Sequence, residues 1–427
     1  MLTRFVTAGS VDDGKSTLIG RLLWDTRAVF EDQVAAVSAV SERRGQAQPD
    51  LSLLTDGLMA EREQGITIDV AYRYFNTAQR KFIVADCPGH EQYTRNMVTG
   101  ASNADVAVLL VDARKGLLAQ TRRHAAVCAW LGLGRILLAV NKIDLVGWSQ
   151  ARFDEIAESF RAWCAPLGLA EVFAVPVSAL HGDGVVHRAE SLSWYRGPTL
   201  LERLEMPLAN ETGLSPAEQA GFRFPVQWVI RGAAEFDADF RGFAGRIEAG
   251  RIAVGDAVRV QRDHGGQDAR VAEILLGEQR LSSAVAGRSI TLRLDRDVDV
   301  SRGDWIVAAD DAKPVQWLEG FVAQICWFSE HALRAGDAYL VKLGTRTVRA
   351  EVGQIEAKIN LDTMQAEGHR DDLLQVNAND LARVRFALHE ALPTDPVAQH
   401  DPLGVGSRFL IIDEGSQSTV GAGVLRQ

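Results

Sequence analysis

Residues 9–16 are the first segment whose residue types and spacing could carry out chemistry. They read Gly-Ser-Val-Asp-Asp-Gly-Lys-Ser and fit the pattern GxxxxGK[ST], between a predicted strand and a predicted helix. Backbone N–H groups of such a loop surround a phosphate, and the helix N-terminus adds partial positive charge. Lys15 is expected to reach the β- and γ-phosphates, and the Ser16 hydroxyl is placed to ligate Mg²⁺. The predicted nucleotide-binding residues of this loop are Gly9, Ser10, Val11, Asp12, Asp13, Gly14, Lys15, Ser16 and Thr17.

A second pattern, Asp-Cys-Pro-Gly-His at residues 86–90, follows a strand-like run. Asp86 at the end of a strand can hold the Mg²⁺ shell, and the backbone N–H of Gly89 can contact a γ-phosphate. Alone, the pattern DxxG often marks only a turn. His90 could orient an attacking water, although a lone histidine is more often structural, so its position alone leaves the role open.

The run Asn-Lys-Ile-Asp at residues 141–144 indicates which base is bound. Guanine presents two adjacent N–H donors that the Asp144 carboxylate can accept together, and adenine offers no such pair. Asn141 can contact the acceptors of the base, and the Lys142 stem can cover its face. The next strand ends in a loop whose backbone N–H groups could bind the guanine oxygen. The predicted residues of this loop are Ser178, Ala179 and Leu180.

About forty residues without strand character separate the first helix from the second strand, a long gap for an α/β crossover. The gap ends in Gln-Gly-Ile-Thr-Ile at residues 64–68. The charged residues before it could simply form a solvated helix face. Thr67, however, is placed to give its hydroxyl to Mg²⁺ when a γ-phosphate is present. Such a segment is typical of an order–disorder switch.

The elements that must position these residues alternate between strands and helices, which predicts a doubly wound α/β domain with a mostly parallel sheet. The predicted strands are Leu2–Thr7, Asp69–Phe75, Lys81–Asp86, Val106–Val111, Ile136–Asn141 and Val172–Val177. The predicted helices are Ser16–Trp24, Gln120–Trp130 and Ser149–Leu167.

The second half of the chain consists of short β-rich segments separated by glycine-containing turns, which predicts antiparallel barrels. The predicted strands include Phe224–Ile230, Gly245–Glu248, Ala257–Gln261 and Ser289–Leu294. A linker-like stretch and a second, weaker boundary divide the chain into three predicted domains. These are an α/β domain at 1–208, a first β-barrel at 220–312 and a second β-barrel at 313–427.

Composition restricts the class of protein. The chain has 427 residues, a net charge of −10 and a pI near 5.5, and this acidic balance argues against general nucleic-acid binding. Its four cysteines form no CxxC pair, which argues against structural zinc and a disulfide framework. No signal peptide and no membrane-spanning stretch is visible in the sequence. We therefore predict a cytoplasmic protein.

Taken together, the phosphate loop and the motifs at 64–68, 86–90, 141–144 and 178–180 resemble the translation-factor GTPases typified by elongation factor Tu. A narrower resemblance is to the GTPase (large) subunit of bacterial sulfate adenylyltransferase. It is carried by Arg-Glu-Gln-Gly-Ile-Thr-Ile-Asp-Val-Ala-Tyr-Arg at 62–73 and Phe-Pro-Val-Gln-Trp-Val at 224–229. Ala-Gln-Ile-Cys-Trp-Phe at 323–328 agrees with it, and the resemblance covers essentially the whole chain.

This resemblance implies GTP and Mg²⁺ as the bound groups. It implies that Ser16, Thr67 and Asp86 hold the Mg²⁺, the last in its outer shell. His90, Lys15 and Thr67 would be the catalytic residues, and Val11 and Ile66 would form a hydrophobic gate beside the histidine.

The resemblance also implies a small adenylyltransferase subunit as partner in a heterodimer or larger hetero-oligomer. GTP hydrolysis would be coupled to formation of adenosine 5′-phosphosulfate and pyrophosphate from ATP and sulfate at that partner. The main alternative is a translational GTPase that delivers RNA or acts on the ribosome. A P-loop kinase conflicts with the guanine motifs.

Overall fold

A computed structural model of the chain describes residues 2–29, 31–43, 49–55, 67, 69–167, 169, 171–207, 221–232, 240–263, 265–311, 315–367, 375–395 and 407–426. The chain divides into two compact units. The first comprises Met1–Met206 with Ile359–Glu367, and the second comprises Pro207–Lys358 with Gly368–Gln427.

A six-stranded sheet forms the centre of the first unit, in the order β2-β3-β1-β4-β5-β6. Strand β2 runs antiparallel to β3, and the other neighbours are parallel. Every residue of β4 and β5 is buried, as expected for strands covered on both faces. The strands are β1 (Leu2–Gly9), β2 (Ala71–Asn76), β3 (Lys81–Asp86), β4 (Val106–Asp112), β5 (Arg135–Asn141) and β6 (Glu171–Pro176).

Helices connect these strands, and two of them begin with side-chain caps. The Ser149 side chain accepts from Arg152 N–H, and Thr199 forms a capping box with Glu202. The helices are α1 (Lys15–Asp25), α2 (Glu31–Arg43), α3 (Thr94–Ser102), α4 (Ala119–Trp130), α5 (Gln150–Cys164) and α6 (Leu200–Glu205). Short 3₁₀ turns lie at Leu51–Leu54, Glu91–Tyr93, Ile143–Val146, Ala165–Leu167 and Glu190–Leu192.

Parallel register brings the predicted motifs to one edge of this sheet. Thr7 pairs with Asp86 across β1 and β3, and Asp112 pairs with Asn141 across β4 and β5. Because parallel strands end at the same edge, the loops that follow β1, β3 and β5 converge there. This is the edge at which open α/β sheets bind ligands.

The first antiparallel barrel closes because β10 pairs with both β15 and β11, in the order β10-β15-β7-β8-β14-β11. Its inward side chains, such as Phe224, Phe243 and Ile274, form one core. The strands are β7 (Arg223–Arg231), β8 (Arg241–Arg246), β9 (Arg251–Ala253), β10 (Ala257–Gln261), β11 (Gly266–Leu276), β12 (Gln279–Leu281), β13 (Ser283–Val285), β14 (Ser289–Leu294) and β15 (Trp305–Ala308).

The second barrel closes in the same way, through pairing of β17 with both β21 and β18. Trp327 is fully buried in its core, and the indole N–H donates to the His331 carbonyl at 2.7 Å. The strands are β16 (Gln316–Trp327), β17 (Ala338–Leu343), β18 (Arg346–Ile359), β19 (Ala366–Glu367), β20 (Leu381–Thr394), β21 (Arg408–Ile412) and β22 (Thr419–Arg426).

The predicted fold class is confirmed: an α/β domain precedes two antiparallel barrels. Helix α2 and a 3₁₀ turn occupy part of the gap that was predicted to lack strand character. One local prediction was wrong. The strand predicted at Gly245–Glu248 instead spans Arg241–Arg246, because pairing with β7 begins at Arg241.

The domain boundaries stay predictions, since residues 208–220 and 312–314 lie outside the described residues. In the part of the chain that the structure describes, no helix is long and apolar enough to cross a membrane.

Candidate nucleotide-binding site

A cavity of about 790 Å³ lies in the first unit, within the size range of ligand pockets in proteins. Its lining brings together predicted residues from four separate stretches of the sequence. The predicted residues that line it are Val11, Asp12, Gly14, Lys15, Ser16, Thr17, Thr67, Gly89, His90 and Lys142.

Lys15 at the start of α1 is buried and bends back over its own loop. Its ammonium donates to the carbonyl oxygens of Ser10 at 2.9 Å and Gly9 at 3.2 Å. Burial lowers the pKa of Lys15, while the carboxylates of Asp86 and Asp13 oppose that shift. A Cβ at Gly89 would lie 2.3 Å from this ammonium, so the loop after β3 approaches Lys15 as closely as only glycine permits.

Hard oxygen donors face one another where Mg²⁺ is expected. The Ser16 hydroxyl donates to Asp86 Oδ2 at 3.4 Å, and the Thr7 hydroxyl lies at the same distance from Asp86 Oδ1. Thr67 lines the same cavity. Within the described residues, no three His, Cys, Asp or Glu side chains group around a metal position. The set fits Mg²⁺, which proteins bind through few carboxylates together with the phosphates of a ligand.

Buried side chains hold the backbone of the phosphate loop from behind. Gly9 N–H donates to His124 Nδ1 at 3.1 Å, and Ser10 N–H donates to Asp13 Oδ2 at 2.7 Å. Gly14 has a φ of 93°, and a Cβ there would lie 2.4 Å from the Asn141 amide nitrogen. The loop can therefore pack against Asn141 only with glycine at this position.

His124 is a site residue that the sequence analysis missed. It is fully buried on α4, and its Nε2 lies 2.8 Å from the Gln120 side-chain nitrogen. Burial lowers its pKa to about 3, with help from Lys15 and Arg123, so the imidazole is neutral and can accept from the loop. The spacing of Gln120 and His124 on one helix face was the available signal.

Asn141 connects the phosphate loop to the loop after β6. Its amide nitrogen donates to the Asp13 carbonyl at 2.7 Å, and its oxygen accepts from Ala179 N–H at 2.9 Å. The guanidinium of Arg21 on α1 donates to the carbonyls of Ala179 and Leu180. These hydrogen bonds join the predicted base-binding loops to the phosphate loop and its helix. Ser178, next to Ala179, is buried.

The remaining base-pocket residues are held by charge. The Lys142 ammonium donates to the Asp12 carbonyl and lies 3.2 Å from Asp112 Oδ2. Burial alone would raise the pKa of Asp112, but hydrogen bonds from Arg114 and Lys142 outweigh it and hold that pKa well below its usual range. Asp144 is half-buried, 3.9 Å from His181 Nε2.

His90 lies in the loop after β3 and lines the cavity together with Val11. Its Nδ1 accepts from Gln92 N–H at 3.4 Å, and its ring centroid lies 6.0 Å from that of Tyr93. Ile66, the other predicted gate residue, lies outside the described residues. The individual roles of these site residues stay predictions.

Two family models match the chain. Residues 2–209 match the Elongation factor Tu GTP binding domain, and residues 320–426 match the GTP-eEF1A C-terminal domain-like family. The first match supports GTP binding by the cavity described above. Among solved structures, the GTPase-like domain of Ski7 from S. cerevisiae, bound to GDP and inorganic phosphate, has a TM-score of 0.53. It covers 100% of this chain and 97% of its own at 16% identity, which is a similarity of fold.

Curated relatives match almost the whole chain. Sulfate adenylyltransferase subunit 1 of Methylorubrum populi is 47% identical over 99% of this chain and 86% of its own length. Bifunctional enzyme CysN/CysC of Xylella fastidiosa is also 47% identical, over 99% of this chain and 65% of its own length. Bifunctional enzyme NodQ of Rhizobium sp. (strain N33) is 46% identical over 99% of this chain. The chain spans 63% of that relative, so it covers less than two thirds of either bifunctional enzyme.

Proposed function

This chain belongs to the family of sulfate adenylyltransferase subunit 1, and we propose that it is the GTP-hydrolysing subunit of such an enzyme. In this proposal, GTP hydrolysis is coupled to formation of adenosine 5′-phosphosulfate and pyrophosphate from ATP and sulfate. The observation that carries it is the cavity lined by Lys15, Ser16, Thr67 and His90, in a chain 47% identical over 99% of its length to a subunit 1.

The chemistry explains why a second nucleotide is needed. Forming an anhydride between sulfate and phosphate is strongly uphill, and GTP hydrolysis can supply the missing free energy. The adenylyl transfer itself belongs to a smaller partner subunit, which binds the ATP and sulfate. The chain is consistent with this division, because its sequence has neither a Ser-Gly-Gly-x-Asp-Ser loop nor an HxGH motif.

The segment His181-Gly182-Asp183-Gly184 is a turn in this proposal, and not a nucleotidyl-transfer site. Asp183 in this segment forms an antiparallel β-bridge with Ser178. Both glycines have a positive φ, 89° at Gly182 and 71° at Gly184. Such a turn closes the loop after β6.

Within the first unit, the proposed roles follow from the positions of the residues around the cavity. Bound Mg²⁺ would be held by Ser16 and Thr67, with Asp86 in its outer shell, and would neutralise charge on the phosphates. Lys15 leaves its loop carbonyls for the β- and γ-phosphates, and the backbone N–H of Gly89 contacts the γ-phosphate. His90 positions the attacking water.

Coupling to the partner requires that GTP favour one conformation over another. Thr67 lies at the end of the long segment between α1 and β2, and it lines the nucleotide cavity. In this proposal, bound GTP contacts Thr67 in one conformation of this segment and not in the other, and so favours the first. The change of conformation alters the surface that the segment offers to the partner. We place the complex in the cytoplasm as a heterodimer or larger hetero-oligomer.

The test is GTP hydrolysis by the purified full-length chain, with and without the small adenylyltransferase subunit, ATP and sulfate. Stimulation that requires all three is expected, together with formation of adenosine 5′-phosphosulfate. A Lys15→Ala variant should abolish both activities in the complex. A rate of GTP hydrolysis that is unchanged by these components, or that ribosomes increase, would contradict the proposal and favour the translational alternative. Formation of adenosine 5′-phosphosulfate by the chain alone would contradict the division of labour.

A further inference from the structure

A carboxyl group is buried inside the phosphate loop, where an anion is expected to bind. The Asp13 residue is 1% exposed, and its Oδ2 accepts from Ser10 N–H at 2.7 Å. Its Oδ1 is also buried and has no hydrogen-bond partner within the described residues. A Cβ at Gly9 would lie 3.2 Å from Oδ2, so the carboxyl group packs directly beneath the loop backbone. A buried carboxylate with one satisfied oxygen is costly to keep ionised.

The charged groups around Asp13 only partly offset this cost. Lys15 on the loop and Lys115 after β4 favour the carboxylate, whereas Asp112 at the end of β4 opposes it. Burial is the largest effect and raises the pKa of Asp13 to about 6. Two other groups at the loop, His124 and Asn141, contact its backbone and carry no charge at neutral pH.

We propose that Asp13 is a positioning residue that links nucleotide binding to proton binding, so that the loop takes up a proton at this carboxyl group when a nucleoside diphosphate binds. The phosphates bring negative charge to the loop and attract Lys15 away from it. Both changes disfavour the ionised carboxylate. The protonated carboxyl group keeps an oxygen that accepts from Ser10 N–H, so the loop retains its shape. By linkage, affinity for the nucleotide decreases as pH rises and Asp13 ionises.

The inference rests on nucleotide binding by the proposed GTPase, and its test uses GDP with Mg²⁺ alone. The dissociation constant is measured for the full chain between pH 5.5 and 8, in the wild type and in Asp13→Asn. The amide keeps the shape of the side chain and an acceptor oxygen but cannot ionise, and mass spectrometry confirms that it stays an amide. If binding raises the pKa of Asp13 by one unit, the wild type should lose about sevenfold in affinity relative to the variant across this range.

Glu158→Gln on the exposed face of α5 is the control. It removes the same charge from a solvent-exposed side chain outside the nucleotide cavity. Its affinity should follow the wild-type pH profile whatever its absolute value. Parallel profiles for the wild type and Asp13→Asn, or a profile altered equally by both substitutions, would overturn the inference.

Calorimetry of the wild type keeps the inference testable if the variant fails to fold. GDP binding is measured at pH 7.5 in two buffers of different ionisation enthalpy, which reports the protons exchanged. At this pH the phosphates of Mg²⁺-bound GDP are almost fully ionised before binding and release few protons, so net uptake supports the role of Asp13, and no uptake or a net release contradicts it. Because ATP, sulfate and the partner are absent, a negative result leaves the proposed coupling function intact.

Discussion

The Asn141 side-chain amide donates to the backbone carbonyl of Asp13 at 2.7 Å, which joins two loops 128 residues apart in sequence. The same side chain accepts from Ala179 N–H. Asn141 is 2% exposed, so both hydrogen bonds are shielded from water. Its position shows that the phosphate loop and the base-binding loops form one hydrogen-bonded unit.

We expect Asn141→Ala to weaken GDP binding about 10- to 100-fold, because it leaves the Asp13 carbonyl and Ala179 N–H without this partner at about 1–3 kcal/mol. Isothermal titration calorimetry measures the effect. Asn103→Ala, at an exposed helix end, is the control and should bind GDP as the wild type does. A variant with wild-type affinity would show that the junction does not position the site.

Asp144→Ala should remove the preference for guanine. The carboxylate is expected to accept two N–H donors of the base, and hydrogen bonds to a charged group contribute about 1.5–3 kcal/mol each. GTP affinity should fall at least about tenfold, while the weak affinity for ATP should not fall. Competition between the two nucleotides measures the ratio. Glu158→Gln on the exposed face of α5 is the control, and an unchanged ratio in Asp144→Ala would rule out the assigned contact.

His90→Ala should slow GTP hydrolysis in the complex by about 100-fold or more, the range expected when a water-positioning or proton-transferring group is removed. GDP affinity should stay within about twofold, since the imidazole is expected to act on water and not on the nucleotide. Single-turnover hydrolysis separates these quantities. His187→Ala, whose side chain is exposed, serves as the control. Equal losses of affinity and rate would assign His90 to binding.

The neutral state of His124 predicts a pH dependence of stability. Its pKa is about 3 in the folded chain, against 6.5 for a solvent-exposed histidine, so only the unfolded chain binds a proton between these pH values. The free energy of unfolding should therefore fall as pH falls below 6.5, by about 1 kcal/mol between pH 7 and 5.5.

The His124→Gln side chain keeps an acceptor but cannot be protonated. Its free energy of unfolding should therefore lack the part of the fall between pH 7 and 5.5 that is due to His124. Urea unfolding of both proteins at the two pH values tests this. The stability difference between wild type and variant should shrink at the lower pH. A difference that is constant with pH would mean that the pKa of His124 is the same in the folded and the unfolded chain.

Arg223 on β7 makes a buried ion-pair network in the second unit. Its guanidinium contacts Asp311 and lies 3.1 Å from Asp395 Oδ2, and its side chain is 2% exposed. Arg223→Met should destabilise the chain by about 3–5 kcal/mol, because two buried carboxylates lose this cation. Arg259→Ala breaks an exposed pair with Asp268 and should leave the unfolding midpoint unchanged. Equal effects of the two substitutions in denaturant titrations would refute this assignment.

Local sequence determined the elements of the first unit because hydrophobic runs and glycine-rich loops are local signals. Predicted and observed strands agree to within two residues at each end, and strand Lys81–Asp86 agrees fully. Helix α2 was not predicted from the sequence because its middle consists of valine, alanine and serine, with charged residues only at its two ends, so no polar face stands opposite an apolar one.

The sequence by itself also determined the nucleotide motifs, since each requires particular residue types at fixed spacing next to a strand end. Only the tertiary structure determined which side chains hold these motifs in place. His124, Asp13 and Asn141 each hold the phosphate loop through backbone hydrogen bonds, and two of these contacts span more than one hundred residues. Such contacts depend on the parallel order of β1, β4 and β5, which brings distant residues to one edge. The charge states of His124 and Asp13 follow from burial, a property that arises only when the chain is packed.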